Sequence, residues 1–153
     1  MTSANSFLSR ILKTDGDVSA TIARVALGVM ILPHGLQKTL GWFGGYGFSG
    51  TMQFFTETMG IPWILALAAI LAESVGGLML ILGLGARVAS ALVGITLFVA
   101  ALTSHVQHGF FMNWFGQQKG EGIEFFILAL GLALIVTLKG AGKFSADRAL
   151  VRS

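Results

Sequence analysis

Residues 24–38 of this 153-residue chain read RVALGVMILPHGLQK. Most of the stretch is apolar, yet it also carries Arg24, His34, Gln37 and Lys38. Polar and ionisable side chains are costly in hydrocarbon, so within a membrane they face a bundle interior or a water-filled cavity. The stretch therefore predicts a membrane-spanning helix with one polar face turned towards other helices.

The composition supports a membrane protein. Hydrophobic residues make up 54% of the chain and charged residues 11%, whereas a soluble domain has about 25% charged residues. Lys and Arg lie mostly near segment ends and the formal net charge is only +3, which gives no reason to predict nucleic-acid binding. The chain has no cysteine, which excludes disulfides, thiolate metal sites and thiol redox chemistry by the chain itself.

A membrane-spanning helix needs about 20 mostly apolar residues. Four windows meet this requirement, at residues 18–38, 61–83, 86–108 and 121–139. The segment between the first two is rich in Gly and aromatic residues, and residues 49–59 could form a short helix. We therefore predict an all-α fold, a transmembrane four-helix bundle with a short extra helix in the first outer loop.

One domain is expected, with flanking segments at both ends. Residues 1–17 would be an N-terminal arm, residues 18–139 the four-helix transmembrane domain and residues 140–153 a C-terminal tail. In the arm, Phe7, Leu8, Ile11 and Leu12 could form a short amphipathic turn on the membrane surface, or the arm could be a frayed leader.

The distribution of Lys and Arg predicts the orientation. They occur in the arm, in the tight 83–87 connection and in the tail, whereas the 39–60 loop has none and the 109–120 loop has only Lys119. Cytoplasmic loops carry the excess of positive charge. We therefore expect a multi-pass protein of the bacterial inner membrane with both termini in the cytoplasm.

The polar residues of the spans fall into two predicted layers. Counting about 1.5 Å per residue from the outer helix ends places Arg24 about 21 Å deep and Glu73 about 18 Å deep. We expect these two residues to form a buried ion pair between the first two spans. The same count places a second cluster near the outer mouth: His34, Gln37, Lys38, His105, His108, Glu121 and Glu124.

Each layer has an alternative interpretation. The Arg24–Glu73 pair could serve only to fix the register of two helices, and the outer residues could simply extend their side chains to interfacial water. We also expect Pro33 to kink the first span, because it cannot donate a backbone hydrogen bond, and thereby to direct His34 into the bundle. His105 and His108 at i, i+3 are too weak a pattern to predict a metal site.

The motifs in combination resemble the DoxX family of small four-helix membrane proteins. They are RxxLGxxxxxHGxQK from Arg24 to Lys38, AExxGGLxLxLGxxxR from Ala72 to Arg87, HGFF at 108–111, GxE at 122–124 and GAGKFSAD at 140–147. The resemblance implies an integral membrane protein associated with oxidoreductases, whose family name derives from a terminal quinol oxidase complex. It marks positions without assigning catalytic roles: Arg24, His34, Gln37, Lys38, Glu73, Arg87 and Glu124.

Three functional hypotheses follow. The first is a redox-associated subunit that binds a quinone near the outer membrane face through His34, Gln37, Lys38, His105, His108 and Glu124. This protein would have no intrinsic cofactor and would depend on a redox partner protein for electrons. The second is a non-enzymatic assembly or chaperone protein that stabilises a partner, and the third is a narrow transporter with Arg24 and Glu73 in its path. A homo-oligomer is left open.

Overall fold

The computed structural model describes residues 12–152, with the backbone alone for Arg152. Phe7, Leu8 and Ile11 of the predicted amphipathic turn lie outside the described residues. The helices are α1 (Val18–Leu40), α2 (Gly47–Gln53), α3 (Trp63–Leu82), α4 (Ala86–Ala100), α5 (Glu124–Lys139) and α6 (Ala146–Arg152). A π-helical turn (Phe54–Thr58) follows α2, and a π-helical turn (Ala101–His105) with a 3₁₀ turn (Val106–His108) extends α4.

The four long helices form an all-α bundle. α1 packs against α3 and α5, and α4 packs against the same two neighbours, so α1 and α4 lie diagonally opposite. Apolar and small side chains fill the centre, among them Leu27, Ile31, Leu80, Val93, Leu97, Ala129, Ala133 and Val136. The predicted four-helix bundle and the short helix in the first loop are therefore confirmed.

Three of the described helical segments are long and apolar enough to cross a membrane: Val18–Leu40, Trp63–Leu82 and Ala86–His108. The fourth, α5, has 16 residues and spans about 24 Å, somewhat less than the ~30 Å of a hydrocarbon core. It begins at Glu124 because the preceding loop folds back on itself. The Gly122 N–H donates to the Phe111 carbonyl at 3.2 Å, and the Glu124 N–H donates to the Phe110 carbonyl at 2.8 Å.

Glycines set the register between α1 and α3. A β-carbon added at Gly35 would overlap the backbone of Ser74, and one at Gly77 would lie 3.1 Å from the Leu32 Cα. Beyond this contact α3 continues for about 16 Å to Trp63, whereas α1 continues for only about 8 Å to Leu40. The additional length of α3 is covered by the α2 region, where Met52 packs on Ala66 and Ile70.

At one end of the bundle, called here the capped end, α1 and α4 begin and α3 and α5 end. Carboxylates occupy the two helix N-termini. Asp17 Oδ1 accepts from the Ser19 N–H at 2.8 Å at the start of α1. At the start of α4, the buried Asp147 carboxylate accepts from the Gly85 and Ala86 N–H groups at 2.6 and 3.0 Å.

Guanidinium groups occupy the two helix C-termini at the capped end. Arg24 donates to the carbonyls of Leu80 and Ile81 in the last turn of α3, the latter at 2.7 Å. Arg87 donates to the carbonyls of Thr137 and Leu138 in the last turn of α5, at 2.7 and 2.6 Å. Negative groups at N-termini and positive groups at C-termini complement the helix dipoles, so these four side chains hold the bundle together at this end.

Candidate functional site

The buried carboxylate of Glu73 pairs with Lys38. The Lys38 Nζ lies 2.5 Å from Glu73 Oε2, and this ion pair joins α1 to α3. The predicted Arg24–Glu73 pair is wrong, because Arg24 lies near the capped end and donates to backbone carbonyls, including those of Ala141 and Phe144 at 2.8 and 2.6 Å. Depths counted from the helix ends assumed that α1 and α3 end at the same height, and the Gly35–Ser74 contact shows that they do not.

The Lys38–Glu73 pair is largely buried but remains partly exposed. The Glu73 side chain is 9% exposed and that of Lys38 is 23% exposed. An ammonium group has three N–H donors, and within residues 12–152 the carboxylate of Glu73 is the hydrogen-bond partner of Lys38. The pair can therefore offer donors and an acceptor to a small polar group that approaches its partly exposed side.

His34 and Gln37, the two other predicted site residues at this end of α1, do not contact the pair. His34 is exposed, so the prediction that the Pro33 kink directs its ring into the bundle is wrong. Its neighbour Gly35 lies against α3, and successive helical residues differ by about 100° in direction. The Gln37 Nε2 donates to the Phe43 carbonyl at 3.3 Å, where Phe43 adopts a left-handed backbone conformation with φ 51°.

The remaining predicted site residues lie at the same end of the bundle, on α4, α5 and the loop between them. The His105 Nδ1 lies 2.9 Å from the Glu121 carbonyl oxygen, and its ring packs on Phe126 with centroids 4.5 Å apart. The Glu124 carboxylate accepts from the Met112 N–H at 3.1 Å. These contacts give His105 and Glu124 a structural role in the 109–123 loop.

His108 also packs against the 109–123 loop, because a β-carbon added at Gly120 would overlap its ring. Within residues 12–152, no hydrogen bond, ion pair or ring contact links His34 or Lys38 to His105, His108 or Glu124. In the same range no three His, Asp or Glu side chains are grouped to hold a metal ion. The outer residues expected to bind one ligand thus separate into Lys38, which pairs with Glu73, and a set of loop contacts.

Sequence reasoning missed two groups of polar residues. Asp147 caps α4 from the tail; it is the last residue of the GAGKFSAD motif, which gave no indication of this contact. Ser90 and Thr137 join α4 to α5 through their hydroxyl groups at 2.9 Å. The pattern places Ser90 on the inward-facing polar stripe of its span, but hydroxyls in apolar windows often bond to their own helix backbone, so the sequence did not identify Thr137 as its partner.

Comparison with known proteins identifies the family. The DoxX family model matches residues 19–106, the segment that contains the Lys38–Glu73 pair and both arginines of the capped end. A Bacillus subtilis (strain 168) protein named "Putative oxidoreductase CatD" is 30% identical over 97 residues, which cover 63% of this chain and 67% of that protein. No solved structure matches. With the family model covering more than half of its length, the chain belongs to the DoxX family.

Proposed function

We propose that this DoxX-family membrane protein is a redox-associated subunit that binds a quinone or a similar lipophilic carbonyl compound at the exposed side of the Lys38–Glu73 pair, next to α1 and α3. The observation that carries the proposal is the partly open Lys38–Glu73 pair inside an otherwise apolar bundle. Intramembrane ionisable residues are uncommon and mark sites of ligand binding or proton transfer. The name of the Bacillus subtilis relative supports a redox association.

The pair suits the chemistry of a quinone headgroup. A Lys38 N–H can donate to a carbonyl oxygen, and Glu73 can accept from the hydroxyl of the reduced form or exchange a proton with it. Reduction of a quinone to a quinol takes two electrons and two protons, and a redox partner protein would supply the electrons. The isoprenoid tail would remain in the surrounding lipid.

We also propose in which membrane the protein lies and how it is oriented there. We place the protein in the bacterial inner membrane with the capped end in the cytoplasm, because Lys13, Arg87 and Lys139 lie at that end and cytoplasmic segments carry the excess of positive charge. The Lys38–Glu73 pair then lies in the half of the bilayer nearer the outer face.

The second candidate function is a non-enzymatic assembly protein. It is favoured by the number of motif residues that hold the fold: Arg24 and Arg87 bind helix carbonyls, and Glu124 binds a loop amide. If Lys38 and Glu73 also serve only to join α1 to α3, the bundle would be a stable scaffold for a partner membrane protein.

Quinone titration in lipid nanodiscs distinguishes the two functions. The ligand is a short-tail ubiquinone analogue, and the readout is quenching of the intrinsic tryptophan fluorescence. The variants are Lys38→Met, which keeps the side-chain length, and Glu73→Gln; Lys119→Met on the exposed 109–123 loop is the matched control. Loss of one hydrogen bond to a charged group costs about 1.5–3 kcal/mol, so we expect Lys38→Met to weaken binding at least about tenfold.

The control should bind as the wild type does. Equal binding by wild type, Lys38→Met and Glu73→Gln, or absence of saturable binding to the wild type, would contradict the proposed function. A stoichiometric partner protein that copurifies without any bound quinone would then favour the assembly function.

A further inference from the structure

A groove of about 380 Å³ lies between α4 and α5, away from the α1–α3 corner that holds the proposed quinone site. Its walls are mostly apolar, and several of its side chains face outward, including Ile95, Phe98 and Leu134. Small residues form its floor, where a β-carbon at Gly94 would lie 3.3 Å from the Ala133 Cβ. A surface of this kind on a membrane-spanning bundle faces the acyl chains of the bilayer.

The groove ends in a positive charge. Ser90 and Thr137 line its end towards the capped end, and Arg87 lies one turn before them on the same face of α4. The Arg87 Nη1 binds the carbonyls of Thr137 and Leu138, and its Nε binds the Lys13 carbonyl at 2.9 Å. Its Nη2 makes no hydrogen bond within residues 12–152, and the residue is partly exposed.

The chain around Arg87 contributes a second cation. The Lys13 carbonyl accepts a hydrogen bond from the Arg87 guanidinium, and the Lys13 side chain is exposed. The guanidinium of Arg87 is also held in place by three carbonyls, so little conformational entropy is lost when its free edge binds an anion. An apolar groove that ends in fixed positive charge at the level of the lipid headgroups is complementary to an anionic lipid.

We propose that the α4–α5 groove is a binding site for one anionic phospholipid. One acyl chain lies along Ala91, Gly94 and Phe98, and the phosphate lies at the free edge of Arg87. The site is independent of the proposed quinone site, because it lies on a different pair of helices. Arg87 binds the lipid phosphate while it continues to cap the C-terminus of α5. The bound lipid therefore also neutralises positive charge at the capped end of the bundle.

Lipid retention tests this proposal. The full-length protein is reconstituted with equal amounts of phosphatidylglycerol and phosphatidylcholine, extracted into detergent and analysed by native mass spectrometry. A basic side chain near an anionic headgroup contributes about fivefold in affinity, so we expect phosphatidylglycerol to be retained about fivefold over phosphatidylcholine. Excess inorganic phosphate should not displace the lipid, because the acyl chain supplies much of the binding.

Two variants separate the acyl-chain contact from the headgroup contact. Ala91→Phe fills the groove and should abolish retention of both lipids, whereas Ala68→Phe, on an exposed position of α3, should retain lipid as the wild type does. Arg87→Gln should remove the preference for phosphatidylglycerol. The proposal is overturned if Ala91→Phe retains phosphatidylglycerol, if the wild type shows no preference, or if the groove is occupied by a second copy and the complex is a lipid-free dimer.

Discussion

At the scale of single residues, the Lys38 ammonium and the Glu73 carboxylate depend on each other. Each is a charge in a largely apolar setting, and each has the other at 2.5 Å. Removal of one partner leaves the other charge uncompensated, which costs more than removal of both. Arg24 is electrostatically separate from this pair, since its guanidinium is held by backbone carbonyls at the capped end.

A double-mutant cycle tests these partnerships. Lys38→Met and Glu73→Leu, measured singly and together by unfolding in mixed micelles, should show a coupling energy of about 0.5–3 kcal/mol. Arg24→Met combined with Glu73→Leu should be additive to within about 0.5 kcal/mol, because residues without shared contacts behave independently. The structure would be contradicted if the unfolding free energies of the Arg24 and Glu73 variants were coupled while those of the Lys38 and Glu73 variants were additive.

The carboxylate of Asp17, at the capped end, should make the stability of the fold sensitive to acid. Hydrogen bonds from the Lys139 ammonium and from Ser19 hold the pKa of Asp17 below its ordinary value of 3.8. A depressed carboxyl pKa stabilises the fold fully above the ordinary pKa, and this contribution is lost as the pH falls below it. The melting temperature of the wild type should therefore fall between about pH 5 and about pH 3 by more than that of Asp17→Asn. Equal falls in the two proteins would show that this carboxylate has no linkage to stability.

The polar residues of the spans could be found from the sequence, but their partners could not. Hydropathy shows that Arg24, Lys38 and Glu73 need partners, since hydrocarbon cannot solvate them. Which residue meets which depends on the vertical offset between α1 and α3, and a contact between Gly35 and the backbone of Ser74 sets this offset. A window of apolar residues carries no information on that offset.

At the scale of elements, Gly35 is a point of close approach between α1 and α3. A methyl group there would overlap the backbone of Ser74, whereas one at Gly76 would make an ordinary contact of 3.5 Å with Val93 Cγ2. Both are buried helical glycines, so the same substitution at the two sites isolates the effect of close approach.

We therefore expect Gly35→Ala to destabilise the protein by about 1–3 kcal/mol, the usual cost of overpacking. Gly76→Ala should be neutral or slightly stabilising, because alanine favours a helix over glycine by about 1 kcal/mol. Unfolding of both variants in mixed micelles provides the comparison. Equal stability of the two would mean that α1 and α3 are not held in contact at Gly35.

The element boundaries were predictable where hydropathy changes sharply. The windows at 18–38, 61–83 and 86–108 correspond to Val18–Leu40, Trp63–Leu82 and Ala86–His108. The fourth window began too early, because the Gly122 and Ile123 N–H groups donate to the Phe111 and Gly109 carbonyls of the loop. The short outer helix was expected at 49–59 and is observed as Gly47–Gln53 followed by a π-helical turn.

At the scale of the whole molecule, the proposed topology places both described ends of the chain on the cytoplasmic side of the membrane. The protein has no native cysteine, so single cysteines can report accessibility without background. Ser49→Cys and Gln117→Cys should react with a membrane-impermeant maleimide added to intact cells, whereas Leu84→Cys and Lys143→Cys should react only after permeabilisation. All four positions are exposed, and reaction in the reverse pattern would invert the orientation.

If a quinone binds at the Lys38–Glu73 pair, a photoreactive analogue should label the residues around that pair. A photoreactive quinone analogue is irradiated with the protein in nanodiscs, and the labelled residues are mapped by mass spectrometry. We expect labels on residues 34–38 and 70–74, competition by unlabelled quinone, and loss of these labels in Lys38→Met. Labels confined to the α4–α5 groove or to the 109–123 loop, unchanged in Lys38→Met, would contradict it.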